Sequence, residues 1–165
     1  MSSPILTGDK SEVRPSLRPA PERAWRAVAW FGGALALIGW AEMALFLYPW
    51  GMGSREWEFG VTAQMLGSLP LPTIGMAALL GAAFAIGSRR GLLTVGVLLG
   101  LFAVVIWGLL VLHWLVVPIA LKAPAAAQVT IRQTIGRATV SGVGFGLLYL
   151  GGAVISVARV TRSKP

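Results

Sequence analysis

Three ionisable side chains interrupt the long apolar runs of this chain where a membrane site could form: Glu42, His113 and Arg137. Glu42 stands about six residues, or ~9 Å, inside the far end of the run ending at Tyr48. His113 precedes Pro118 by five residues, and Arg137 opens the last apolar run, so all three are expected to converge on one outer level. A carboxylate, an imidazole and a guanidinium brought together can relay protons, bind an ion or hold a substrate. The same trio can equally be a structural ion pair that fixes helix register, and that is the favoured reading, because Arg137 can snorkel to water. Glu42 is expected to turn into the bundle, with Arg137 or His113 as its nearest polar partner, since an unpaired carboxylate against lipid is costly.

A second group of residues lies in the connector between the first two apolar runs. Trp50 opens it, and Glu56, Trp57, Glu58 and Phe59 then alternate acid and aromatic. In a strand the two acids would share one face, where they could hold a cation or transfer protons; in a helix they would not. The spacing matches no metal motif, so the segment is expected to be interfacial, with rings in the headgroups and Glu56 and Glu58 in water. His113 beside Trp114 can hold a haem or pigment, but a lone histidine near an interface more often hydrogen-bonds a neighbouring helix. No cofactor and no metal are expected.

Composition narrows the chemistry further. The chain has no cysteine, which excludes thiol redox and thiolate metal sites. Its formal charge is +8, yet the cations cluster at the ends of apolar runs and are not interleaved with stacking aromatics, so nucleic acid is not the expected partner. With 56% hydrophobic and 12% charged residues, and a mean hydropathy of +0.75, membrane lipid is.

The elements that must position these residues are four apolar spans, giving an all-α integral membrane protein built as a bundle of four transmembrane helices. The spans are expected at 25–48, 69–88, 92–118 and 136–158, with an outer connector at 49–68, a disordered tail at 1–23 and a short tail at 160–165. Pro49 stops the first helix, and Pro70 and Pro72 suit the first turn of the second, where backbone amides lack acceptors anyway. Ser88 to Gly91 forms a tight basic turn, and the chain turns helical but semi-polar from Ala125.

Small residues recur along each span at spacings that let helices approach closely. These are Gly32, Ala36 and Gly39 in the first, Ala77, Gly81 and Ala85 in the second, Gly96 and Gly100 in the third, and Gly142 and Gly146 in the fourth. The third helix, with His113 off its glycine face, is expected to lie centrally.

Ten of the 14 Lys and Arg fall in the N-terminal tail, the Arg89–Arg90 turn and the C-terminus, which by the positive-inside rule makes both termini cytoplasmic. A bacterial cytoplasmic membrane is the expected location. Excess packing surface points to a non-enzymatic structural or accessory subunit of a larger membrane assembly, or to a homo-oligomer. A small proton- or cation-coupled transporter using Glu42 is the alternative, and a membrane enzyme using the outer acids the third option.

Overall fold

In the computed structural model, which describes residues 22–48, 51 and 53–162, five helices follow one another. They are α1 (Glu22–Leu45), α2 (Arg55–Gly67), α3 (Pro70–Ile86), α4 (Arg89–Ala120) and α5 (Ala125–Arg162). Four stretches are long and apolar enough to cross a membrane, with α2 and α3 together forming the second, so the chain is a multi-pass membrane protein. The expected tail before Glu22, Trp50, and the residues after Arg162 lie outside the described residues.

Each break between helices follows from a few local residues. Gly87 takes the left-handed conformation (φ 69°) that ends α3, and Ser88 caps α4 by accepting the Gly91 N–H at 3.1 Å. The basic turn is thus centred on Gly87–Ser88, and Arg89 and Arg90 already belong to α4. Between α2 and α3, Pro70 and Pro72 withhold two amide donors from the helix ladder. The chain bends at Ser68–Leu69, while Ser68 N–H still reaches the carbonyls of Gln64 and Met65.

The connector differs from the sequence expectation because part of it is helix. Ser54 is the N-cap of α2, accepting the Trp57 N–H at 3.5 Å, and Glu58 Oε1 reaches back to the Gly53 N–H at 3.3 Å. Both acids fall in the first turn, where the helix dipole favours negative charge. The second span consequently begins before residue 69, and α2 packs on α4 and α5. The last helix likewise starts at Ala125, well before residue 136.

Helix pairing is antiparallel, α1 against α3 and α4 against α5, with α4 also touching α2 and α3 and so occupying the centre. The first seam is used as the sequence suggests. A side chain added at Gly32 would strike Gly75 O and Ala78 Cβ at 2.8 Å, and one at Gly39 would strike Pro72 Cδ at 2.6 Å. Gly75 in turn admits the backbone of Gly32 and Ala36 so closely that no Cβ fits. Between α4 and α5, Gly96 faces Ser156, Gly142 faces Leu110, and Gly146 faces Trp107. Ala77, Gly81 and Ala85 do not serve their expected role within the chain: all three are exposed, and a Cβ at Gly81 would meet nothing. On α3 it is Pro72, Gly75, Met76, Ala82 and Ala83 that face inward.

These contacts set the bundle's two ends. One end gathers Arg26, Arg89, Arg90, Arg159 and Arg162, with the Arg159 guanidinium 5.0 Å from the Phe84 ring. The other, the connector end, carries α2 with the last turns of α4 and the first of α5. At ~1.5 Å per residue α4 is about 48 Å long and α5 about 57 Å, so both project well beyond a hydrocarbon core of ~30 Å.

Candidate functional site

Tyr149 is the residue on which the four spans meet. It is 1% exposed, and its ring lies edge-on to Trp40 of α1 and Phe102 of α4, with centroids 6.4 and 6.3 Å away. Trp40 and Phe102 stack on each other at 3.9 Å. The Thr73 hydroxyl of α3 donates to Leu69 O at 2.7 Å and lies 3.4 Å from the Tyr149 hydroxyl oxygen. Sequence reasoning missed this junction; a tyrosine set among glycines within a span was the available signal.

The same junction fixes depth. Trp40, Phe102 and Tyr149 share one level, about 20 Å along α4 from Arg89 at ~1.5 Å per residue. Glu42, half a turn further on, lies about 23 Å from the arginine-rich end, whereas His113 and Arg137 lie about 36–38 Å from it. The expected three-way cluster is therefore not assembled. Depth counted from the end of each apolar run does not carry over between helices, because α4 and α5 extend farther than α1 at the connector end. Glu42 is exposed on α1, whose main packing contacts are with α3, and has no hydrogen-bond or ion-pair partner among the described residues. It also occupies the last turn of α1, where the helix dipole disfavours negative charge.

His113 is fully buried and finds its partner in α2. Its Nδ1 lies 3.2 Å from Thr62 Oγ1, and Phe59 stacks on the imidazole with centroids 5.1 Å apart. Because the Thr62 hydroxyl donates to Glu58 O at 2.8 Å, its oxygen accepts from His113 Nδ1–H. That tautomer leaves Nε2 as a bare acceptor, and it is buried without a partner among the described residues. Arg137, exposed, borders a cleft of about 510 Å³ between α2 and α5 with Gln64, Thr134 and Ser141.

The helical connector separates its two acids. Glu56 is exposed, beside Arg55 and Lys122 in a groove at the extreme connector end. Glu58 is half-buried and opens on a different cavity of about 450 Å³ between α2 and α4. Val61 and Met65 of α2, Leu109, Leu112 and Val116 of α4, and Leu47 make its apolar walls. Trp57 lines the same end as Glu58, with its ring packed over Gly51.

Compared with protein-family models, with curated proteins and with solved structures, the chain finds no match.

Proposed function

We propose that this protein is a non-enzymatic subunit of a larger membrane assembly, inserted with both termini in the cytoplasm and the connector end outside. The observation that carries the reading is Glu42. With a hydrocarbon core of ~30 Å measured from the arginine-rich end, this carboxylate lies about 7 Å below the far boundary, on a helix flank that the described residues leave uncovered. A charge at that depth against lipid is unfavourable by up to about 3 kcal/mol, and a neighbouring helix bearing a cation or a hydrogen-bond donor removes the cost. The outward stripe of Ala77, Gly81 and Ala85 supports the same reading, because it offers α3 a close approach that none of the described helices uses.

Coupled transport through Glu42 has less support: none of the cavities described above includes that residue. In native mass spectrometry from mild detergent the wild-type chain should travel with at least one further polypeptide, and Glu42→Ala should release it. A lone wild-type monomer would count against the proposal.

A further inference from the structure

We infer that the cavity between α2 and α4 binds a cationic amphiphile, with the apolar body against Leu109, Leu112 and Met65 and the positive charge at Glu58. This is independent of the assembly reading, since Glu42 is not among the residues that line the cavity.

Three observations support it. The first is polarity along the cavity. Met65 lies about 10 Å deeper along α2 than Glu58 at ~1.5 Å per residue, so the apolar floor and the carboxylate are set apart by the length of a short alkyl segment or one aromatic group. The second is position. Leu109 and Leu112 stand about 30–35 Å along α4 from Arg89, at the far boundary of a ~30 Å hydrocarbon core, where an amphiphile places its head–tail junction. The third is recognition chemistry. Glu58 is held by the Gly53 N–H through one oxygen, so the second oxygen can meet a cation, and the Trp57 indole on the same wall adds an electron-rich ring. A volume of about 450 Å³ falls within the range that small-molecule sites occupy.

The shared chemistry is one positive charge on an apolar body, supplied either by a lipid ammonium headgroup or by a soluble lipophilic cation. The probe is tetraphenylphosphonium, titrated onto the full-length protein in a neutral maltoside detergent, with tetraphenylborate, an anion of the same shape, titrated onto a separate sample. The expected result is saturable binding of about one cation per chain and none of tetraphenylborate titrated alone, the cation's binding weakened about tenfold or more by Glu58→Gln and unchanged by Glu56→Gln. Leu112→Trp, which fills the cavity without touching the charge, should abolish it. Displacement by phosphatidylethanolamine but not phosphatidylglycerol identifies the occupant as a lipid ammonium head, and displacement by neither identifies a soluble cation. Absence of saturable binding, equal displacement by both lipids, or full affinity in a Glu58→Gln protein that elutes as the folded wild type does would overturn the inference.

Discussion

The Thr62 hydroxyl lies 3.2 Å from His113 Nδ1, and this contact ties the connector helix to the central span. The histidine is fully buried, so its N–H has no water to turn to if the threonine oxygen is removed. Thr62→Val, nearly isosteric, should therefore destabilise the protein by about 1–3 kcal/mol, while Thr62→Ser should recover most of the loss. Thermal unfolding of the three proteins in one detergent checks the order.

The α1–α3 seam makes a sharper test because the obstacle is backbone. Gly75→Ala drives a methyl into Ala36 N and Gly32 O, neither of which can rotate away, and should cost about 1–3 kcal/mol or detach α1. Gly81→Ala, on the same helix with open space around it, should leave thermal stability of the single chain unchanged. Equal melting of the two variants would mean that α1 is not packed as described.

Tyr149 combines ring packing with one hydrogen bond, and substitutions separate the two. Tyr149→Phe keeps both edge-on contacts and loses only the bond to Thr73, a cost of about 0.5–1.5 kcal/mol. Tyr149→Ala removes a side chain that touches three other helices and should cost about 3–5 kcal/mol. Denaturation midpoints in matched detergent give both values.

Orientation can be checked without reference to function. The native chain has no cysteine. A cysteine placed at Ser54 should react with an impermeant thiol reagent added to intact cells, and one placed at Ser88 only after the cells are opened. Reversed labelling would move Glu56, Glu58 and the cation cavity to the cytoplasmic side.

Much of this architecture was legible in the residues. Four apolar spans, Pro70 at a helix start, and close approaches at Gly32, Gly39, Gly96, Gly142 and Gly146 follow from periodicity and backbone chemistry, whereas the second span ends at Ile86 and not at Ser88, and Gly100 is in ordinary contact only. Relative depth was not legible. A pattern of apolar residues gives a helix its length, but only contacts such as Trp40 with Phe102 show how far one helix has slid past another. Facing was ambiguous where two small-residue stripes share a helix: α3 turns Gly75 inward and leaves Gly81 outside, since Pro72 and Gly75 together admit α1 more closely. Thr62 was invisible as a partner because its role depends on the connector being helical, which Ser54 and Glu58 decide through their bonds to Trp57 and Gly53.

In the proposed assembly another subunit covers the flank of α1 at Glu42. A photo-crosslinking amino acid at Ile38, exposed and one turn from Glu42, tests it most directly in native membranes. The expected result is a discrete protein adduct of fixed mass that is lost when Glu42→Ala is introduced alongside, while the same crosslinker at Val104 on α4 gives no adduct dependent on Glu42. Crosslinking at Ile38 to lipid alone, or to protein with equal yield whether or not Glu42 is present, would contradict it.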